Sequence, residues 1–170
     1  MVAYKQATTD SLCKILNRHG WELAAAAQLN RLNRQGGLIT LVYIDVDDFK
    51  SVNDSFGHNN GDQVLVQVAS MLRRYCRSSD VIGRRGGDEF VVMSHCFNDR
   101  QARQLSLRLA EGLARIQVKT SDASFIVSAS VGAIVTDNRA VQLNSLLREA
   151  DNLMYKNKAA RSATVSARPA

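Results

Sequence analysis

Apolar residues recur at helical spacing along Asp10–Arg34, Asp62–Arg77, Asp99–Gln117 and Gln142–Asn157. Shorter runs, Leu38–Ile44, Val81–Arg84, Glu89–His95 and Phe125–Val135, are rich in β-branched residues and predict strands. The last of these alternates in part, with Ile126, Ser128 and Ser130 set against Val127, Ala129 and Val131. A polar, helix-like segment follows Asp45, so the predicted order is β-α-α-β-β-α-β-α. Only Gly-Gly and its neighbours separate the second and third strands, which must therefore pair antiparallel. The pattern predicts an α+β fold: a central mixed or antiparallel sheet flanked by helices, close to the ferredoxin-like split βαβ. Trp21, Phe56 and Tyr75 fall within helical patterns and are assigned to the core.

Two of the predicted strand ends carry chemistry. Residues 84–90 read Arg-Arg-Gly-Gly-Asp-Glu-Phe. Both glycines accept positive φ, which suits a hairpin and lets a bulky ligand approach the backbone, while Asp88 and Glu89 follow the turn directly. The apolar run Leu41–Ile44 ends on Asp45, and Asp48 is placed to cap the helix that opens there. First-turn amides of such a helix bind anionic oxygens. A strand-end carboxylate, a helix N-terminus and a hairpin carboxylate together suit a metal–triphosphate site, because Mg²⁺ takes one or two carboxylates plus phosphate oxygens. Taken singly, Asp45 reads as a turn residue, Asn53 as a turn residue and Asp62 as the N-cap of the helix after Gly61.

Composition narrows the class. A chain of 170 residues with 45% apolar content builds one domain with a proper core. There is no apolar stretch of membrane-spanning length, and no signal peptide is expected. Cys13, Cys76 and Cys96 have neither a disulfide framework nor metal-ligand spacing, and His19, His58 and His95 lack zinc spacing, which fits a reducing cytoplasm. The net charge of +6 suits a nucleotide substrate, but the basic residues are scattered without interleaved aromatics, so no nucleic-acid groove is expected.

From about Thr9 to Lys158 the chain resembles the GGDEF family of diguanylate cyclases. The likeness rests on Asp10-Ser11-Leu12 with Asn17-Arg18, on Asp45 to Lys50, on Asn53-Asp54 with Phe56-Gly57-His58 and Gly61-Asp62, on Gly86 to Phe90, and on Ala150-Asp151 with Tyr155 and Lys158. The resemblance implies a fold akin to the palm of nucleotide polymerases, and condensation of two GTP into cyclic di-GMP with release of two pyrophosphates. It implies that Asp45 and Asp88 bind Mg²⁺ (with Mn²⁺ as an alternative) through their side chains and Val46 through its carbonyl, and that Asp88 or Glu89 assists deprotonation. Guanine selection falls to Asn53 and Asp62: a carboxylate accepts from N1–H and the exocyclic amine, a donor pair that adenine lacks. Phosphates fall to the amides near Asp48, Phe49 and Lys50 and to the Lys158 side chain. Arg77 and Asp80 form the Arg-x-x-Asp spacing of a product-inhibition site.

The chain departs from the family pattern twice. Ser162 stands where a phosphate-binding arginine is usual, with Arg161 one residue earlier, and Cys13-Lys14 replaces the usual Thr-Gly in the entry turn. Residues 1–9 are expected to end an upstream linker helix, residues 10–160 to form the catalytic domain, and residues 161–170 to be a disordered tail. Expected partners are GTP, cyclic di-GMP, a second copy of the chain in a transient or regulated homodimer, and an upstream sensor in the parent protein, with no nucleic acid and no membrane contact by this domain. The expected location is cytoplasmic, including as the output domain of a membrane-anchored parent. The alternative function is a non-catalytic receptor for cyclic di-GMP or GTP that regulates a partner. Degenerate family members usually lose the Gly-Gly-Asp/Glu-Glu-Phe signature, and its integrity here favours the enzyme.

Overall fold

The computed structural model describes residues 7–121 and 123–166, with side chains described to Arg161. Its elements are α1 (Arg18–Gln35), β1 (Leu38–Val46), α2 (Phe49–Phe56), α3 (His58–Tyr75), β2 (Val81–Gly86), β3 (Glu89–Cys96), α4 (Asp99–Leu113), β4 (Ile116–Lys119), β5 (Ser124–Val127), β6 (Ala129–Thr136) and α5 (Leu143–Ser166). Four strands form one sheet in the order β2-β3-β1-β6, antiparallel at every step. β1 and β2 thus run parallel with β3 between them, which is the split βαβ topology. β4 and β5 form a separate hairpin.

The central strands are apolar on both faces because helices cover both faces. Ile39, Leu41 and Tyr43 of β1, with Val91 and Met93 of β3, join Trp21 of α1 and Leu146 and Met154 of α5 in one core. Val42, Ile44 and Val46, with Phe90 and Val92, join Val68 and Leu72 of α3 and Leu105 and Leu109 of α4 in the other. Strand parity then puts Asp45 and Asp47 on the α5 side of the sheet. Trp21 is fully buried and donates from Nε1 to the Val81 carbonyl at 3.1 Å, as a core indole should. Tyr75 packs against the second of these cores, beside Gly112. Phe56 is not core: it is 43% exposed and stacks on Phe125, with centroids 4.3 Å apart.

Several boundaries differ from the pattern-based expectation, each for a local reason. The helix expected from Asp10 starts at Arg18. Asp10 Oδ1 accepts from the Leu12 and Cys13 amides at 3.1 and 2.7 Å, closing an Asx turn, and Asn17 is the true N-cap, accepting from Gly20 N at 2.9 Å. The helix expected from Asp62 starts at His58, so Asp62 lies inside α3 and is not its N-cap. The helix expected to reach Gln117 stops at Leu113, and Ile116–Lys119 forms β4. The strand expected over Phe125–Val135 is two strands broken at Ser128. α5 continues past Asn157 through Ser166, so Arg161–Ser166 of the expected tail is helical; residues 167–170 of that tail, and residues 1–6 of the expected linker helix, lie outside the described residues. Among the described residues no helix is long and apolar enough to cross a membrane.

The entry turn carries backbone strain at Lys14, a non-glycine residue with φ +56°. An L-residue there crowds its Cβ against the following carbonyl, at about 1–2 kcal/mol. Glycine removes that strain but has more freedom to lose on folding. Lys14→Gly should therefore raise stability by about 0.5–1 kcal/mol, read as a higher urea midpoint at unchanged slope. A lower midpoint would show that the lysine side chain contributes more than its backbone costs.

Candidate functional site

The site grows from the register of β1 on β3. Asp45 pairs with Glu89 across that ladder and with Ser130 across the β1–β6 ladder. The Gly87-Asp88 turn is held against the end of β1 by a hydrogen bond from Val46 N to the Asp88 carbonyl at 3.2 Å. Gly86 and Gly87 both have positive φ, 152° and 51°, and this shapes the tight reversal as expected. Arg84 clamps the same turn. Its Nε and Nη2 donate to the Gly87 carbonyl at 2.9 and 2.7 Å, while Nη1 pairs with Asp10 Oδ2 at 3.2 Å. The hairpin is thereby tied to the Asx turn that precedes α1.

Three carboxylates from this ladder sit close enough to repel one another. Burial lifts the Asp45 carboxyl above its ordinary range; a hydrogen bond from Lys158 opposes the rise, and the charge of Asp88 adds to it. Burial also lifts Glu89, opposed by a hydrogen bond from Tyr43 and reinforced by Asp151, Asp45 and Asp88. Tyr43 is pushed up to about 12, mainly by burial and then by the Glu89 charge. Lys158 Nζ pairs directly with Asp45 Oδ1. Burial works to lower the ammonium pKa, but this carboxylate contact wins and the net shift is upward.

α5 is fixed over the strand end by its own side chains. Asn157 Nδ2 donates to the Val131 carbonyl at 2.7 Å and Arg161 Nη1 to the Ala129 carbonyl at 3.0 Å. Arg161 also lies 3.7 Å from Asp47 Oδ2. The arginine one position before Ser162 is therefore turned into the site. Asp47 was not singled out from sequence, yet it is the most firmly held carboxylate of the group: Ser128 Oγ and Ser130 Oγ each donate to it at 2.6 Å. The available signal was the Asp-x-Asp spacing at a strand end, which places both side chains on one face. Tyr43 and Arg84 were likewise legible only once their cross-strand partners were known.

The remaining expected residues surround this cluster or lie away from it. Asp48 occupies the N-cap position of α2 in left-handed backbone, φ 52°, and makes no side-chain capping bond, so its expected capping role is not realised. That backbone reversal starts α2 immediately at Phe49 and Lys50, whose amides lack intrahelical acceptors by helix geometry. A cavity of about 360 Å³ opens beside them, lined by Asp47, Asp48, Ser51, Ser55, Phe125 and Ser128 among others. Asn53 lies on α2 with Oδ1 directly over Gly61, where a Cβ would collide with it, and Asp62 follows on the exposed side of α3. The lack of a side chain at Gly61 is what lets the Asn53 amide pack against the start of α3, one residue before Asp62.

Arg77 and Asp80 stand at the other end of β2, roughly 20 Å from the glycine turn at strand rise. Asp80 Oδ2 accepts from Arg77 N at 2.8 Å and Oδ1 from Ser94 Oγ at 2.6 Å, so the turn is rigid. A second cavity, about 580 Å³, opens beside it.

Comparison with known proteins agrees with this geometry. The family model for the diguanylate cyclase GGDEF domain matches residues 7–164. The chain belongs to the GGDEF family. It is 34% identical over 153 residues to the probable diguanylate cyclase DgcC of Escherichia coli K12, covering 90% of this chain and 41% of that protein. It is 32% identical over 155 residues to the cyclic di-GMP phosphodiesterase NbdA of Pseudomonas aeruginosa, covering 91% of this chain and 20% of that protein. The chain thus spans less than half the length of these two curated relatives. A solved sensory box/GGDEF family protein from Caulobacter crescentus CB15 superposes with a TM-score of 0.82 at 31% identity, covering 90% of this chain and 99% of that one.

The raised Glu89 carboxyl has a consequence for stability. A carboxyl whose pKa is higher folded than unfolded favours folding at low pH, and that contribution disappears as pH rises through the folded value. Glu89→Gln should therefore gain melting temperature relative to the parent as pH goes from 4 to 7, measured in chelator. A difference that stays constant with pH would contradict the raised pKa.

Proposed function

We propose that this domain is a diguanylate cyclase, joining two GTP molecules into cyclic di-GMP. The observation that carries the proposal is the junction of β1 and the hairpin, where Asp45, Val46 and Asp88 meet beside the amides of α2. Among the described residues no group of three or more His, Cys, Asp or Glu side chains forms a metal cage. Two carboxylates and a backbone carbonyl nevertheless fit Mg²⁺, which completes its octahedron with water and substrate phosphate. The Lys158 ammonium on Asp45 is a cation already held at this position. When bound between Asp45, Asp88 and the Val46 carbonyl, Mg²⁺ or Mn²⁺ would supply neutralisation of the triphosphate and acidification of the attacking hydroxyl.

The protein's own groups do the rest. The amides of Phe49 and Lys50, following Asp48, receive phosphate oxygens, and Lys158 and Arg161 add positive charge from α5. Asn53 and Asp62 read the guanine edge. The 3′-oxygen of one GTP attacks the α-phosphorus of the other, the α–β phosphoanhydride bond breaks, and pyrophosphate leaves. Glu89, half-buried and raised above the ordinary carboxylate range, is suited to take the hydroxyl proton, with Asp88 adjacent. One domain has one set of carboxylates and one guanine pocket, whereas the product needs two new phosphodiester bonds. The productive state is therefore a two-fold pair with the hairpins facing each other.

Asp88→Ala should abolish cyclic di-GMP formation while the melting curve stays cooperative; near-normal turnover would reject the site. Turnover of GTP should exceed that of ATP by at least about a hundredfold, because adenine leaves the Asp62 acceptor unpaired. Equal turnover would reject the assignment of Asn53 and Asp62. We further propose that the cavity at Arg77 and Asp80 binds the product and slows the reaction, since Arg offers bidentate donors to phosphate and Asp80 is held in a fixed orientation.

A further inference from the structure

The cavity beside Arg77 and Asp80 has cations that the Arg-x-x-Asp pattern does not include. Lys14 and Arg73 line it together with Arg77 and Asp80. Lys14, Arg73 and Arg77 are exposed, and Asp80 is half-buried. Arg73 is anchored by donating through Nη2 to the Cys13 carbonyl, which fixes the guanidinium without neutralising it. Among the described residues the Lys14 ammonium has no ion pair or hydrogen bond. Asp80, the carboxylate of the set, already accepts from Arg77 N and Ser94 Oγ at 2.8 and 2.6 Å. Three cations and one carboxylate leave the four groups with a net charge of two positive, the complement of the two phosphodiester charges of a cyclic dinucleotide.

Lys14 reaches this wall at a cost. Its backbone is left-handed, φ +56°, where a side chain is strained. Strain held at a cavity wall points to use of the side chain that bears it. The turn geometry itself is closed by Lys14 N donating to the Asp10 carbonyl at 3.0 Å, a bond that glycine would make equally well. The lysine side chain is therefore not needed for the turn.

We propose that Lys14 is an affinity-determining residue of this cavity, placing its ammonium against one phosphate of the cyclic dinucleotide while Arg77 holds the other part of the ligand. The proposal rests on the reading of the cavity as the product site. Calorimetric titration with cyclic di-GMP, at low and at high ionic strength, tests it on the full chain with Lys14→Gly, Lys14→Arg and Arg77→Ala. Lys14→Gly should bind roughly three- to tenfold more weakly at low salt, with a shallower salt dependence, while Lys14→Arg binds as the parent does. Parent-like affinity in Lys14→Gly, or equal loss in Lys14→Gly and Lys14→Arg, would overturn the role of the ammonium. Undiminished binding by Arg77→Ala would instead overturn the product-site reading beneath it. The glycine variant is expected to fold at least as stably as the parent, so a loss of binding is not a loss of fold.

Discussion

The antiparallel pairing of β1 with β3 is the constraint on which everything else depends. It sets Asp45 opposite Glu89 and brings the glycine turn back to Val46. A slip of one residue would move Asp45 and Asp47 to the α3 side and send Ile44 and Val46 to the α5 side. Two apolar faces forbid that slip: Val42, Ile44 and Val46 fill one core while Ile39, Leu41 and Tyr43 fill the other. The position of the carboxylates is thus specified by the hydrophobic packing of the strands that carry them, not by any attraction among the carboxylates themselves.

Those carboxylates repel. Burial raises the Asp45 and Glu89 carboxyls, and neighbouring charge, from Asp88 on both and from Asp45 on Glu89, adds to the rise. Several devices offset this. Lys158 pairs with Asp45, Ser128 and Ser130 donate to Asp47, and Arg161 approaches Asp47 from α5. The break between β5 and β6 falls at Ser128, so the interruption of the strand and the support of Asp47 are one feature. Partial compensation leaves negative charge at the end of β1, and that residual charge is what a divalent cation with a nucleotide triphosphate would relieve. Stability is lower here than a neutral cluster would give, as is common where a site is built for charge.

Much of this was legible in the residues. The glycine pair announced a hairpin, the run ending at Asp45 announced a strand with a carboxylate at its tip, and the alternation of helical and strand-like runs announced a sheet flanked by helices. Elements governed by side-chain–backbone bonds were harder to read. The Asx turn at Asp10 and the cap at Asn17 sit inside a stretch whose apolar spacing looks helical throughout, and the spacing of apolar residues carries no record of which amide a side chain will bind. Asp62 looked like a cap because it precedes an apolar run, yet Gly57 starts the helix a full turn earlier. The β4–β5 hairpin was hidden because Ile116–Lys119 continues the apolar spacing of the preceding helix. Asp47 and Tyr43 acquire meaning only through partners more than forty residues away, which no local pattern encodes.

The central claim is that this ladder builds one half of a two-GTP reaction centre. Its most direct test is product analysis after concentrated protein is incubated with GTP and Mg²⁺, with nucleotides and pyrophosphate quantified together and the protein concentration varied. The account predicts one cyclic di-GMP and two pyrophosphates for every two GTP consumed, with the rate per chain rising as protein concentration rises. GTP bound but unconsumed at every concentration would contradict it and would favour a receptor in place of an enzyme.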